Sequence, residues 1–257
     1  MRRALSSMAR DLAAYAAAQD ENLLELPPGA PAVPLREAPR APSEPAAPAV
    51  EAGIKGMDME ALAKTVAECR RCPLGFARIK AVFGVGNPKA KVVFVGEGPG
   101  FQEDHRGEPF VGRSGQLLDK ILETVLGLKR SDVYIANIVK CHPMKNPETP
   151  EAHGNDRPPT PEEISACRPY LEEQLRAIRP RCIVTLGSVP TKVLLATDKG
   201  ISLMRGRSYD YPVELFGPGH PIKVIPTYHP AALLRNPNLK RDTWEDMKML
   251  KSFLESA

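Results

Sequence analysis

Four short, mostly apolar runs alternate with stretches of helical periodicity after about residue 57. The runs lie at 92–95, 133–139, 182–186 and 222–225, and their length and apolar character are typical of buried parallel strands. Helical stretches lie at 115–126, 161–178, 189–196 and 242–254, and Pro161 with two glutamates behind it is a typical helix start. The alternation predicts an α/β layered domain with a mostly parallel sheet.

The segments that follow the four runs are polar or rich in glycine. They are residues 96–100, 137–142, 187–188 and 228–236. Ligands of open parallel sheets bind beyond the carboxyl ends of the strands. We therefore expect a functional site where these four segments meet.

The first 56 residues differ in composition from the rest. Residues 1–24 contain an Ala/Leu-rich stretch that predicts a short helix, and residues 27–49 hold eight of the 27 prolines, which is typical of an extended tether. We therefore divide the chain into a helix with a flexible linker at 1–56 and a folded domain at 57–257. The helix could dock a protein partner, although a dispensable tail is the simpler interpretation.

The basic excess belongs to the predicted domain. Residues 1–56 contain six Lys/Arg and seven Asp/Glu, whereas the remaining residues contain 29 and 24. This excess suits a polyanionic partner, although an ordinary basic enzyme would show the same charge. No apolar run is long enough to span a bilayer and no secretory signal is recognisable, so we expect a cytoplasmic protein without a membrane partner.

The five cysteines argue against disulfides and leave metal binding, catalysis or plain burial as their role. An odd count in a non-secreted chain argues against a disulfide framework. Cys69-x2-Cys72 with Cys141 and Cys167 further along the chain can satisfy either tetrahedral zinc or a [4Fe–4S] cluster, and the spacing alone does not choose between them. Cys182 opens an apolar run and is expected to be a small buried hydrophobe.

Two of the strand-end segments and the turn around Phe110 carry candidate binding residues. Glu97 lies in Gly96-Glu97-Gly98-Pro99-Gly100, where glycines allow a ligand to approach the main chain. A tight turn would explain the glycines but not a glutamate directly after a buried strand. Phe110, between proline and glycine, could stack on a flat ligand, although a lone Phe is more often core. Asn137 closes the second run, and its amide can recognise a base edge.

The last strand leads into an unusual loop. His229 is followed by exposed-looking apolar residues, Leu233 and Leu234, and then by Arg235. Leucines beside an arginine are what insertion into a DNA duplex requires. The simpler interpretation is a helical turn that packs both leucines inward.

Taken together, these segments resemble the type-4 uracil-DNA glycosylases, the iron–sulfur branch of that superfamily. The resemblance covers roughly residues 60–255, and the motifs occur in the same order. The matching stretches are Cys69-x2-Cys72, Gly96-Glu97-Gly98-Pro99-Gly100-x2-Glu103-Asp104, Pro109-Phe110-Val111-Gly112, Asn137-Ile138-Val139-Lys140-Cys141, Cys167 and His229-Pro230-Ala231-x-Leu233-Leu234-Arg235-Asn236-Pro237.

The resemblance implies both a fold and a cofactor. The fold is a three-layer α/β/α sandwich with a four-stranded, mainly parallel sheet. The cofactor is a structural [4Fe–4S] cluster on Cys69, Cys72, Cys141 and Cys167, with Cys182 outside it. The substrate is single- or double-stranded DNA that contains uracil, and we expect a monomer.

The resemblance also assigns roles in uracil recognition. Uracil would stack on Phe110, and Asn137 would accept from uracil N3–H and donate to O4. His229 would donate to O2 as charge develops there, together with loop amides around Glu97, Gly98 and Pro99.

Further implied roles concern the attacking water and the DNA. Glu97 would position or activate the water. Glu103 is a second catalytic carboxylate candidate, and the alternative role is to border uracil C5. Leu233 or Leu234 would fill the space left by the flipped nucleotide, and basic groups including Arg235 would hold the backbone.

The chain departs from the family pattern at 1–56 and in an apparent insertion at 147–156. The insertion contains His153, and a related branch uses a histidine near this position to capture the deoxyribose covalently. The loop here is acidic, so we expect a turnover enzyme and keep a uracil-DNA binding or covalent trapping protein as the alternative. A zinc-braced DNA-binding module without catalysis is a third hypothesis.

Overall fold

The computed structural model describes residues 53–212, 215 and 221–256. The helix and linker predicted for 1–56 lie outside the described residues except for 53–56. Within that short stretch Ile54 is buried, and the Gly56 amide donates to Glu173 at 3.0 Å. Packing therefore begins about three residues before the predicted boundary. No helix in the described part of the chain is both long and apolar enough to cross a membrane.

The fold is built on one mixed sheet. Its strands, in chain order, are β1 (Val85–Gly86), β2 (Val92–Gly96), β3 (Tyr134–Asn137), β4 (Cys182–Leu186), β5 (Tyr209–Asp210) and β6 (Lys223–Thr227). They are arranged β1-β3-β2-β4-β6-β5 across the sheet. The four central strands are parallel, and the two edge strands pair antiparallel to their neighbours.

Helices flank the sheet. They are α1 (Met59–Glu68), α2 (Leu74–Ala77), α3 (Phe101–Arg106), α4 (Arg113–Ile121), α5 (Pro161–Ile178), α6 (Ser188–Leu195), α7 (Ile201–Met204), α8 (Pro230–Arg235) and α9 (Lys240–Glu255). A π-helical turn (Leu122–Leu126) continues α4, and 3-10 turns cover Arg130–Asp132 and Pro237–Leu239. The Thr160 hydroxyl caps α5 and Pro161 occupies its first turn, as the predicted helix start requires.

The predicted fold class is confirmed, with one correction to the sheet. Each of the four apolar runs overlaps one of the four parallel strands, but the sheet has six strands rather than four. The two additional edge strands are two residues long. Strands this short give no recognisable alternation in the sequence.

Two separate cores show why the central strands are apolar on both faces. Val93 and Val95 of β2 pack on one side of the sheet with residues of α1 and α5. Val92 and Phe94 of the same strand pack on the other side with residues of α4 and α9. Because successive side chains point to opposite faces, this alternation establishes three layers.

The register of the parallel strands aligns their carboxyl ends. Gly96 of β2 pairs with Asn137 of β3, and Leu186 of β4 pairs with Thr227 of β6. The segments that follow these four strands therefore leave the sheet at the same edge, as predicted.

Candidate active site

A cleft of about 640 Å³ opens at the carboxyl edge of the sheet. It brings together all residues predicted to contact the base, which are Glu97, Gly98, Pro99, Phe110, Asn137 and His229. Glu103, Arg235 and His153 also line it. Residues that follow all four parallel strands line this one cleft, as expected from the sequence.

The Asn137 side chain is buried under the floor of this cleft. It is 2% exposed, and its Oδ1 has no hydrogen-bond partner among the described residues. A Cβ at Gly96 would overlap this oxygen and would lie 2.7 Å from Cζ of Phe110. Glycine at position 96 therefore allows the amide and the aromatic ring to approach each other over the end of β2. An unpaired buried oxygen is unusual, and here it faces a position that a hydrogen-bond donor can occupy.

Phe110 is held in a backbone conformation that side chains rarely adopt. Its φ is +54°, which costs a non-glycine residue roughly 1–2 kcal/mol. A Cβ at Gly115 would overlap the Phe110 carbonyl, so glycine in the first turn of α4 makes room for this turn. The ring is 6% exposed and its centroid lies 5.5 Å from that of His229.

The His229 imidazole is neutral and has a fixed tautomer. Burial, assisted by the charge of Arg235, lowers the pKa of His229 from 6.5 to about 4. The Ala231 amide donates to Nδ1 at 3.1 Å. Because Nδ1 accepts, the single proton of the neutral ring is on Nε2, which makes Nε2–H a hydrogen-bond donor. The left-handed Gly187 (φ +99°) permits close approach, since a Cβ there would lie 3.1 Å from Cβ of His229.

The two candidate carboxylates have different surroundings. Glu97 is half-buried, and burial raises its pKa; no hydrogen bond from another described residue reaches its carboxylate. Glu103 accepts three main-chain N–H groups, from Gly100 at 3.2 Å, Val111 at 3.1 Å and Gly112 at 3.3 Å. Glu103 thus caps the start of its own helix, α3, and holds the two residues that follow Phe110, whereas Glu97 is available to a ligand.

The loop after His229 forms α8 and separates the two leucines. Leu233 is 1% exposed and packs inward, as the simpler interpretation of the sequence proposed. Leu234 is 39% exposed, and Arg235 is exposed beside the cleft. This corrects the prediction that either leucine could enter DNA, because only Leu234 lies at the surface.

The insertion at 147–156 folds against α3 and forms one wall of the cleft. His153 stacks on Phe101 with ring centroids 4.2 Å apart, and His105 lies 2.8 Å from Glu151. The Asn155 amide closes the loop through hydrogen bonds to Asn146 and Thr149. The sequence did not indicate this wall, because its contacts with α3 join residues about 50 positions apart.

The four clustered cysteines line a second, smaller cavity. Cys69, Cys72, Cys141 and Cys167 share it with Arg71, Lys140 and Tyr170. Burial raises the pKa of Cys141 to about 11 and that of Cys167 to about 12. Cys182 lies elsewhere, in the second core and fully buried. No group of three or more His, Cys, Asp or Glu side chains within the described ranges is close enough to hold a single metal ion.

Three cations that the sequence analysis did not single out surround this cavity. Arg78 Nη1 donates to Cys141 Sγ at 2.9 Å. Arg71 Nε and Nη1 are buried without a partner among the described residues. Lys140 is 1% exposed. The only signal in the sequence was a lysine and two arginines adjacent to, or near, cysteines.

Comparison with known proteins adds a family to this geometry. The family model of the uracil DNA glycosylase superfamily matches residues 83–248. The type-4 uracil-DNA glycosylase of Sulfurisphaera tokodaii is 42% identical over 197 residues, covering 75% of this chain and 83% of its own. The type-4 enzyme of Thermotoga maritima is 42% identical over 204 residues, covering 77% and 95%. A type-5 enzyme of Thermus thermophilus is 33% identical over 125 residues, covering 37% and 57%.

Proposed function

The chain belongs to the uracil DNA glycosylase superfamily, and from that membership we propose that it is a type-4 enzyme. It hydrolyses the N-glycosidic bond of uracil in DNA and leaves an abasic site, which is the first step of base-excision repair. The single observation that carries this proposal is the buried, unpartnered Oδ1 of Asn137 beside Phe110 and His229. These three groups supply an acceptor, a stacking surface and a donor for one flat pyrimidine.

Asn137 is the residue that distinguishes uracil from cytosine. Its Oδ1 accepts from uracil N3–H and its Nδ2 donates to O4. Cytosine presents an unprotonated N3 and an amino group at position 4, so both hydrogen bonds would be opposed. A site built to hydrogen-bond one pattern rejects the reversed pattern strongly, because its buried polar atoms would be left unpaired.

His229 stabilises the leaving base. As the bond between C1′ and N1 breaks, electrons move onto the uracil ring and charge develops at O2. The Nε2–H of the neutral imidazole donates a hydrogen bond to O2 and so stabilises the charge that develops there. The low pKa of His229 keeps the ring in this state throughout the physiological range.

Glu97 directs the attacking water, and Glu103 is a positioning carboxylate. Water adds to C1′ through its oxygen, and one of its protons must be taken up as the bond forms. Glu97 has no competing hydrogen bond from another described residue. Burial raises the pKa of its carboxyl group, which makes the carboxylate a stronger base towards the attacking water. The three amides on Glu103 occupy its acceptor positions, so it holds the Phe110 turn instead.

DNA contacts come from the edge of the cleft. Extruding a nucleotide costs about a few kcal/mol in stacking and pairing. The exposed Leu234 occupies the space that the nucleotide leaves, and Arg235 beside the cleft contacts the phosphate backbone.

The four cysteines fit a [4Fe–4S] cluster better than zinc. All four line one cavity, and the resemblance to the type-4 enzymes implies that they hold an iron–sulfur cluster. The three surrounding cations suit an anionic cluster. When bound, the cluster would cross-link the end of α1, the segment after β3 and α5.

The test is release of uracil from DNA by the full chain. The purified protein is incubated with single- and double-stranded DNA containing one uracil, and the DNA is then treated with alkali, which breaks abasic sites. Cleavage at the uracil position, absent in the cytosine- and thymine-containing controls, is expected. Intact DNA after alkali would refute the proposal.

Covalent trapping remains a second candidate because His153 lines the cleft. The same reaction, analysed on a denaturing gel before alkali, distinguishes the two. A protein–DNA adduct that disappears in His153→Ala would favour trapping, whereas free abasic DNA with repeated turnover favours the glycosylase.

A further inference from the structure

Lys140 is a buried cation without a carboxylate partner. Its side chain is 1% exposed, and Nζ donates to the Asn137 carbonyl at 2.9 Å and to Gln174 Oε1 at 2.6 Å. No Asp or Glu of the described ranges forms an ion pair with it. A buried ammonium is costly unless its hydrogen bonds are satisfied, so the two acceptors that Nζ binds determine where it lies.

Lys140 also contacts the four-cysteine site through its main chain. The Lys140 amide donates to Cys167 Sγ at 3.3 Å, and Cys141 follows it in the chain. One residue therefore touches the cysteine site with its main-chain N–H while its ammonium binds Asn137 and Gln174. Arg78 makes a comparable contact from another side of the cavity, where its Nη1 donates to Cys141 Sγ.

The hydrogen bonds of Lys140 also reach the uracil cleft. Nζ binds the carbonyl of Asn137, whose amide side chain lies under the base position. Gln174 in turn donates to the Phe83 carbonyl at 2.9 Å and to the Tyr134 hydroxyl at 3.2 Å. Lys140 thus joins the end of β3 to α5, the helix that carries Cys167.

We propose that Lys140 is a positioning residue that couples the four-cysteine site to the amide that recognises uracil. The inference rests on the proposed function and extends it. The main-chain N–H of Lys140 binds Cys167, and its ammonium binds both the main chain of Asn137 and Gln174, which lies on the same helix as Cys167. The cysteine site would then support base recognition directly as well as stabilising the fold.

The experiment compares the holoenzyme with Lys140→Met, using Lys248→Met as the matched control on α9, where the lysine is exposed. Iron content, kcat and KM on uracil-containing DNA, and inhibition by free uracil are measured. In Lys140→Met we expect inhibition by uracil to weaken about tenfold or more. This is the usual effect of losing one hydrogen bond to a charged group, here the bond from Nζ to the Asn137 carbonyl. We also expect kcat to fall while KM for DNA changes little, because backbone contacts are untouched. The control should match the wild type.

A purely structural lysine would lower thermal stability without this split between kcat and KM. Loss of iron from a folded Lys140→Met protein would support the coupling. Unchanged uracil inhibition in a folded, iron-containing variant would overturn it.

A measurement on the wild-type enzyme covers a variant that fails to fold. Lysine ammonium groups labelled with 15N are observed by NMR, and the one protected from solvent exchange belongs to Lys140. Free uracil should shift this signal, and an unmoved signal at saturating uracil would refute the coupling. If the wild type itself releases no uracil from DNA, the proposed function fails instead.

Discussion

The uracil cleft and the cysteine cavity lie on either side of the same short segment, residues 137–141, yet they are built differently. The cleft is open, and its central acceptor, Asn137 Oδ1, has no hydrogen-bond partner among the described residues. The cysteine cavity is small, and cations surround it. A site that must admit and release a base keeps its hydrogen-bonding groups oriented and free. A site that retains a permanent group can fix its charges in advance.

Burial acts on both sites in the same sense with different consequences. It lowers the pKa of His229 to about 4 and raises the pKa of Cys167 to about 12, so it favours the neutral form of each. The neutral imidazole is the donor that base release needs. A neutral thiol cannot bind iron, so the cysteine cavity needs nearby positive charge to favour thiolates.

Replacing cysteines should give the largest effects. Cys141→Ala should lose iron and unfold at a markedly lower temperature, because the cross-link between β3 and α5 is lost. Cys182→Ala should keep its iron and cost about 1 kcal/mol, the loss of a small buried group. Iron analysis and thermal unfolding monitored by circular dichroism measure both. Equal iron content in the two variants would contradict the assignment of Cys141 to the cluster.

Asn137→Ala should lower kcat about 10²- to 10³-fold, the usual cost of removing one oriented hydrogen-bonding group from a transition state. Its iron content should equal that of the wild type, since only the amide is removed. Asn87, which lies outside the cleft, provides the control as Asn87→Ala. Single-turnover cleavage of uracil-containing DNA measures the rates. A loss of iron together with activity would mean that the two sites cannot be separated at Asn137.

The sequence predicted those features of the fold and the cleft that depend on local patterns. Both-face apolar runs identified the four parallel strands, and the rule for strand ends placed Glu97, Asn137 and His229 at one edge. The two-residue edge strands were missed because they are too short to show alternation.

The remainder depends on contacts between distant residues. Whether Leu233 or Leu234 faces solvent depends on how α8 packs. The amides on Glu103 and the Gln174 partner of Lys140 come from separate parts of the chain. Family resemblance named Glu103 as a catalytic candidate, but only the positions of Val111 and Gly112 indicate that it holds a turn.

The pH dependence of uracil binding tests the neutral state of His229. Binding of free uracil should be constant from pH 8 to about 5 and weaken as pH falls through about 4, since protonation at Nδ1 opposes the Ala231 N–H. A ring with the ordinary pKa of 6.5 would lose binding about two pH units earlier. Isothermal titration calorimetry of the holoenzyme measures this.

The lowered pKa of His229 also makes the free energy of unfolding depend on pH. Between pH 6.5 and about 4 the unfolded imidazole binds a proton and the folded one does not, so this group lowers the free energy of unfolding as pH falls across that window.

Arg235→Gln removes the smaller cause of the lowered His229 pKa, and it should move the pH at which uracil binding is lost slightly upward. A limit already near 6.5 in the wild type would show that His229 is not buried as described.

The smallest expected effect separates the two leucines. Leu234→Ala should lower kcat/KM on double-stranded uracil DNA by about tenfold, which corresponds to less free energy than the few kcal/mol that nucleotide extrusion costs. Cleavage of single-stranded DNA should be nearly unaffected, because only a duplex leaves a stacked space to fill. Its stability should change by at most about 0.5 kcal/mol, since the side chain is 39% exposed. Leu233→Ala should instead destabilise the protein by about 2–5 kcal/mol, as for other buried leucines, and affect both substrates alike. Equal losses on both substrates from Leu234→Ala would remove that residue from the DNA-binding role and leave the cleft without an inserted side chain on α8.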